Sequence, residues 1–486
     1  MLTTLLIAVP LAGALAVWVL PLSRESTSGL ALLAILAELG LWLGSVRNFD
    51  FGSDLQQYSA SREWFSELGI SYAVGLYGFQ YWLVGLTIVV GACAIGYGAW
   101  AKRDRARAYF GLMLFLVGSL VGVFAAQDLI LFYVFFEAML IPIYVLVGVW
   151  GGVGRVKATV TFVIYTMAGS LLMLASIIAF GLSQGTFDLV DSGQSDSTWV
   201  FLGFLAAFAV KAPLFPFHGW LVDAYRESPP ELAAILSGVV SKAAVFGLLR
   251  IGIEKFPGPV DDLQVTILTL AAIGLVYGSL LAFRARDLRS VTAYSSMSQM
   301  GLIVLGLFSL NELGQNGAIL HSVAHGLVSA TLFLLAGMVE SRTGGTSDFG
   351  VLGGMAKGRP MLATILMTTG IIALAVPGSV AFAGEFLILA GIYDEGWWWA
   401  AIGAGAIVLA AMYMLRLISA VLHRARGFDV PDDRRDLRGP ELAVLVPLVG
   451  LLLALSAWPA SIAERSVPVS GTEGWTSYAP IADDAP

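Results

Sequence analysis

Three features of the sequence predict an all-α polytopic membrane protein. Only 13% of its 486 residues are charged and 58% are hydrophobic, against about 25% charged in soluble domains. Apolar runs of about 20 residues, each enough to cross a bilayer core, recur from end to end. Lysine and arginine also gather in alternate connecting segments, as cytoplasmic loops do. The net charge of −7 sits mainly in short acidic loops, which argues against a nucleic-acid partner. Cys93 is the only cysteine, so an intrachain disulfide and a cysteine-ligated iron–sulfur or zinc site are excluded.

In chain order the predicted spans are 2–21, 27–46, 77–100, 107–126, 128–150, 157–183, 198–218, 231–254, 263–283, 290–310, 316–340, 361–391, 397–423 and 440–463, about fourteen in all. The first run, MLTTLLIAVPLAGALAVWVL, lacks the basic start of a signal peptide and is read as a span. With the N-terminus outside, the inner loops hold nineteen basic residues: Arg24; Lys102, Arg103, Arg105 and Arg107; Arg155 and Lys157; Arg226; Arg284, Arg286 and Arg289; Arg342, Lys357 and Arg359; and Arg424, Arg426, Arg434, Arg435 and Arg438. The outer segments hold four, Arg47, Arg62, Lys255 and Arg465, and lean acidic through Asp188, Asp191, Asp196, Asp261, Asp262, Asp394 and Glu395. One missed span would destroy that asymmetry, so the reading is a cell inner (plasma) membrane protein with both termini on the outer side.

An ionisable residue at a helix centre costs about 2.5–3.5 kcal/mol on insertion scales and marks function by default. Glu137 lies within LILFYVFFEAMLIPIYVLVG, Lys211 ends an apolar run, and Lys242 sits inside LSGVVSKAAVFGLL. His321 and His325 are four apart on one helix face, and Glu385 follows the Pro-Gly pair of LAVPGSVAFAGEFLILAG. A static buried ion pair would explain any one of these, but not the set. His218 and Arg416 lie near the inner edges. His218 also reads as part of an aromatic helix edge, and Arg416 as a side chain that snorkels to the surface. Arg250 and His423 read as structural helix ends. HSVAH lacks the glutamate of HExxH, and two histidines on one helix cannot ligate a haem from opposite sides, so no metal or haem is expected. The glycines of GGVGRVK follow no strand and are not a phosphate loop.

The spans divide into three N-terminal helices (1–104), two units of five (105–260 and 261–425) and a last helix with a C-terminal tail (426–486). Five is odd, so the second unit starts from the opposite side, which is the topology of two inverted five-helix repeats. The fourth helix of each unit carries a break, at Pro213 and Pro216 in KAPLFP and at Pro377 in AVPGSVAFAGEF. Paired broken helices mark transport sites. Lys211 stands beside one break and Glu385 beside the other. Unwound backbone admits water, through which a buried lysine can exchange its proton.

Several long segments resemble the antiporter-like subunits of respiratory complex I: FYVFFEAMLIPIYVLVGVWGG, KAPLFPFHGWLVDAYRESPPELAAILSGVVSKAAVFG, SVTAYSSMSQMGLIVLG, AHGLVSATLFLLAG and FAGEFLIL. The resemblance runs from about residue 105 to 425, and the phrase FEAMLIP points to the M, or chain-four, type. Mrp antiporter and membrane-bound hydrogenase subunits are related. The resemblance implies that Glu137 pairs with Lys211, that Lys242 is the central lysine, that His325 links the halves, and that Glu385 is the terminal proton-releasing residue. Gln299 stands where many relatives have histidine, so that step would run through water or an amide, and His321 is positioned to compensate. Val222 and Tyr225 replace a proline and a histidine of the family pattern. No cofactor is expected in this chain; NADH, FMN, iron–sulfur clusters and quinone would lie in partner subunits, beside L-type and N-type neighbours. The expected path runs from Lys242 to Lys211, then by His325 and water to Glu385. A cation/proton antiporter subunit of an Mrp-type or hydrogenase-linked complex would use the same charges without that redox partner. A structural scaffold would tolerate their neutralisation.

Overall fold

A computed structural model describes residues 1–53, 55–431 and 435–464. Arg434 and Arg465 of the charge count, and the tail from 465 onward, lie outside the described residues. The chain opens with α1 (Leu2–Val19) and α2 (Arg24–Ser45), then an antiparallel hairpin, β1 (Gln57–Phe65) and β2 (Ile70–Leu76), before α3 (Gly78–Trp100). The hairpin departs from an all-helical expectation. Its alternating residues fall in a connecting segment too polar to span, and hairpin pairing satisfies its backbone.

There follow α4 (Ala106–Ala125), α5 (Leu129–Ala138), α6 (Leu140–Trp150) and α7 (Arg155–Gln184). The step between α5 and α6 falls at Met139, where Pro142 has no N–H to offer the carbonyl of Ala138. Next come α8 (Thr198–Lys211), α9 (Leu221–Glu227), α10 (Pro230–Ile235) and α11 (Lys242–Gly247). Wide π-helical turns at Leu236–Val240 and Leu248–Ile253 flank α11. The remaining helices are α12 (Pro257–Arg284), α13 (Leu288–Leu307), α14 (Glu312–Glu340), α15 (Pro360–Ala373), α16 (Val380–Tyr393), α17 (Trp397–Ile418), α18 (Gly439–Ala457) and α19 (Ala460–Ala463).

Eleven helical runs among the described residues are long and apolar enough to cross a membrane, and α8, α15 and α16 are shorter apolar helices. The protein is a multi-pass membrane protein. Helix α13 has the length, 20 residues, but carries Ser295, Ser296, Ser298 and Gln299. All four are buried, so these side chains meet protein rather than lipid. The runs Pro230–Gly252 and Gly314–Val339 are buried at every residue and form the central axis.

The predicted span 198–218 ends early, at Lys211. Pro213 and Pro216 cannot donate to the carbonyls of Ala209 and Ala212. The Leu214 N–H reaches Ala209 instead (2.9 Å), and the Trp220 indole takes the freed carbonyl of Val210 (3.0 Å). The second break separates α15 from α16. There Ala375 and Gly378 adopt positive φ (52° and 95°), and Ser379 caps α16 by accepting from Phe382 N–H (3.2 Å).

One small motif occurs twice. Asp128 caps α5 and forms a β-bridge with Asp188; Asp287 caps α13 and forms one with Asp348. In the first bridge Leu129 N–H donates to Phe187 O (2.9 Å), in the second Leu288 N–H to Ser347 O (3.2 Å). Thr186 and Thr346 each accept the N–H of the aspartate two residues on (3.1 and 3.2 Å). The first bridge lies at the hairpin end, where Gln127 N–H meets Ala73 O. The second lies at the other end, where segments around 100–103, 150–152, 226–230, 287–289 and 340–348 enclose one cavity. Arginine loops therefore converge at a single end of the molecule.

Candidate functional site: a buried polar axis

Lys242 opens α11 directly after a π-helical turn, and that turn builds its site. Wide turns leave carbonyls poorly served by the helix. The carbonyl of Ser237 accepts from Lys242 Nζ (2.9 Å) and from Ser241 Oγ (2.9 Å). Lys242 Nζ also lies 3.2 Å from Ser241 Oγ and 2.8 Å from His325 Nδ1. Both Lys242 and His325 are buried. Their approach is possible because the helices cross at two glycines. A Cβ on Gly238 would lie 2.9 Å from the Gly326 carbonyl, and one on Gly326 2.6 Å from the Gly238 carbonyl.

One helical turn separates His325 from His321, whose rings are nearly parallel (25°) with centroids 6.4 Å apart. His321 Nε2 donates to Gln299 Oε1 (2.8 Å) and lies 4.0 Å from Glu385 Oε1. Gln299 and Glu385 thus both lie against the same ring nitrogen. A glutamine amide therefore occupies the place beside His321 where the amide step was expected. His325 Nε2, His321 Nδ1 and Glu385 Oε2 are buried without a protein hydrogen-bond partner. The structure therefore brings Lys242, His325, His321, Gln299 and Glu385 into one line across α11, α14, α13 and α16.

Lys211 stands apart from that line. Its Nζ has no hydrogen-bond partner and lies 4.8 Å from the ring centroid of Phe136 and 5.7 Å from that of Phe162. Cation–π attraction partly replaces lost hydration there. Glu137 is near enough to act on it electrostatically but forms no ion pair with it. The pairing implied by the resemblance is open in this structure. Of the two lysines, Lys242 is the one that touches His325. His218 stacks between Phe215 and Tyr277, with ring centroids at 5.8 and 5.4 Å, away from the line and in keeping with an aromatic helix edge. Arg416 donates to the carbonyls of Ala282 and Ala285, and Arg250 is bound to Glu254 and Gln127, so both fasten structure.

Two cavities approach the line from opposite ends. The one at the arginine-rich end, about 930 Å³, is bordered by Arg226, Ser228, Pro230, Arg289, Gly337 and Glu340. The other, about 880 Å³, lies beside the second break and is bordered by Asn316, Leu320, Ser379 and Ala383, within about one turn of His321 and Glu385.

The family described as NADH:quinone oxidoreductase/Mrp antiporter, transmembrane, matches residues 126–410, which contain every residue of this line. The chain belongs to that family. Among relatives of this antiporter-family chain is NADH-quinone oxidoreductase subunit M of Mycobacterium tuberculosis, 35% identical over 502 residues, covering 93% of this chain and 90% of that protein. A chain of respiratory complex I from Thermus thermophilus superposes with a TM-score of 0.87 at 32% identity, over 96% of this chain and 97% of that one. A chain of the Mrp complex from Dietzia sp. DQ12-45-1b reaches 0.84 at 22% identity, over 96% and 95%, which shows a shared fold.

Sequence reasoning missed two buried acids. Glu38 of α2 is wholly inside, with neither carboxylate oxygen hydrogen-bonded; a charge inside LALLAILAELGLWL could have flagged it. Glu231 is also wholly inside, accepting from Arg103 (2.6 and 2.8 Å) and from the Tyr109 hydroxyl (2.5 Å). Its signal was hidden because it sits at the predicted start of a span.

Proposed function

We propose that this chain is the M-type, proton-translocating subunit of an NADH:quinone oxidoreductase, and that it is a translocase without a redox centre of its own. The observation that carries the reading is the buried line from Lys242 to Glu385, in which a lysine, two histidines and a glutamate can give and take a proton and the Gln299 amide orients His321. NADH, FMN, iron–sulfur clusters and quinone belong to partner subunits in this reading, and the neighbours are L-type and N-type antiporter-like subunits. The chain crosses the membrane fourteen times and contains two inverted repeats. The twin aspartate bridges at opposite ends and the two broken helices support that division. The arginine-rich end faces the cytoplasm and both termini face outside, consistent with basic loops remaining on the side of insertion.

The geometry supports a specific hand-off. Lys242 Nζ faces His325 Nδ1 at hydrogen-bond distance, so a proton can move from one to the other without movement of either helix. His325 then releases from Nε2. The Gln299 carbonyl oxygen, by accepting from His321 Nε2, leaves His321 Nδ1 as the acceptor for the incoming proton. The 6.4 Å between rings is bridged by water rather than direct contact. Proton loss from His321 Nε2 delivers to Glu385, beside the outward cavity. Lys211 acts as a side reservoir: when Glu137 approaches, the ammonium form gains a partner, and when it withdraws the proton is released toward Lys242.

The test is redox-driven proton pumping by the intact complex in vesicles, comparing wild type with Lys242→Ala and Lys211→Ala. Assembly and uncoupled electron transfer serve as controls. Both variants are expected to assemble and to lose pumping by about tenfold or more, equivalent to about 1.4 kcal/mol or more on the barrier. Unchanged pumping in an assembled Lys242→Ala complex would falsify the reading. Ion-driven proton exchange without electron transfer would instead favour the Mrp-type or hydrogenase-linked antiporter.

A further inference from the structure

A buried tyrosine adjoins the border of the arginine-rich cavity in sequence and bonds the turn that holds Lys242. Tyr225 lies on α9, next in sequence to Arg226, which borders the cavity. It is completely buried. Its ring meets Trp220 and Phe333 edge-on, at 6.0 and 5.6 Å. Phe333 is one turn from Gly337, another border residue of the same cavity. The Tyr225 hydroxyl donates to the carbonyl of Leu236 (3.2 Å), the residue next to Ser237.

Both residues belong to the π-helical turn that holds Lys242. Tyr225 bonds the carbonyl of residue 236, and Lys242 bonds the next one, of residue 237. Ser237 Oγ in turn shares a hydrogen bond with Ser296 Oγ (2.6 Å). A phenol and two serine hydroxyls therefore gather at the turn that holds the lysine. Resting on the proton-translocating reading above, we propose that Tyr225, with Ser237 beside it, is the hydroxyl relay through which Lys242 draws protons from the arginine-rich cavity. In each passage the Tyr225 hydroxyl accepts a proton from the cavity side and gives its own toward Ser237. The neutral amine of Lys242 becomes an ammonium, and the phenol ends unchanged. No ionised phenolate accumulates.

The alternative is that Tyr225 only fastens the wide turn by capping Leu236. The two are separated by removing the hydroxyl alone. Tyr225→Phe and Ser237→Ala would be measured in the intact complex in vesicles, with Lys242→Ala as reference. The readouts are protons pumped per electron pair and the rate ratio in H₂O and D₂O. The relay predicts that assembly and uncoupled electron transfer persist, that pumping falls about tenfold, and that the solvent isotope effect on pumping changes in both variants. A turn-fastening role would lower thermal stability but leave the isotope effect at its wild-type value. Wild-type pumping and isotope effect in Tyr225→Phe and Ser237→Ala, while Lys242→Ala fails, overturn the relay and leave the translocase reading intact. Normal pumping in Lys242→Ala overturns the translocase reading itself. If Tyr225→Phe does not assemble, Ser237→Ala decides, and loss of assembly in both assigns these hydroxyls to structure.

Discussion

Lys211 and Lys242 differ in company rather than depth. Both are buried, but Lys242 has three polar neighbours and Lys211 has two aromatic faces. Lys242 already meets a histidine at hydrogen-bond distance, whereas Lys211 Nζ meets no hydrogen-bonding group. At the far end Gln299 does the orienting, and its amide makes a prediction. Gln299→Ala would leave His321 Nε2 free to take either tautomer. Pumping in that variant is expected to fall several-fold, about 1 kcal/mol for one hydrogen bond of this kind. Gln299→His, which keeps a protic ring at the same place, is expected to retain more than half of it. Equal loss in both, measured as proton uptake by vesicles, would remove Gln299 from the path. Charged residues of this line were legible in the sequence because apolar helices leave an ionisable side chain few structural excuses. Tyr225, Ser237 and Ser296 were not, since buried hydroxyls are commonplace in membrane helices and bond back to their own turn.

Among the elements, the crossing of α14 with the turn before α11 sets the reach of the central step. Gly238 and Gly326 face each other backbone to backbone, and neither position has space for a methyl group. Gly238→Ala would push the crossing apart by some tenths of an ångström, stretching the 2.8 Å contact between Lys242 and His325. The expectation is a complex that still assembles and transfers electrons but pumps several-fold more slowly, with Gly326→Ala behaving alike. Over-packing of this sort costs about 1–3 kcal/mol. Normal pumping in both would mean that the hand-off tolerates a longer gap. Breaks at Pro213, Pro216 and Pro377 were readable because proline has a fixed chemistry. The wide turns at Leu236–Val240 and Leu248–Ile253 carry no such punctuation. They arise from packing demands on a fully buried run, which no local signal records. The hairpin of β1 and β2 was missed for a related reason: between two spans, a polar connection reads as loop.

At the scale of the whole molecule, basic loops meet at one end and the same aspartate bridge occurs twice. Asp128 accepts from the N–H groups of Ile130 and Leu131 (2.8 and 3.0 Å) and Asp287 from that of Ser290 (2.8 Å). Replacing either by alanine removes a helix cap worth about 1 kcal/mol. Both single variants should lower the thermal midpoint of the assembled complex by similar amounts, and the double variant by their sum, because the sites are far apart. A markedly larger effect in one would show that the two bridges are not equivalent.

The bridges also precede Lys211 and Glu385 in the chain. Every residue of the first lies upstream of Lys211, and every residue of the second upstream of Glu385. A chain emerging from its N-terminus can therefore staple α5 to the segment after α7, bringing Phe136 and Phe162 into the wall, before its lysine is made. It can likewise close the second staple before the glutamate follows. Each cradle is built ahead of its occupant, so neither charge need wait in lipid for a place to lie.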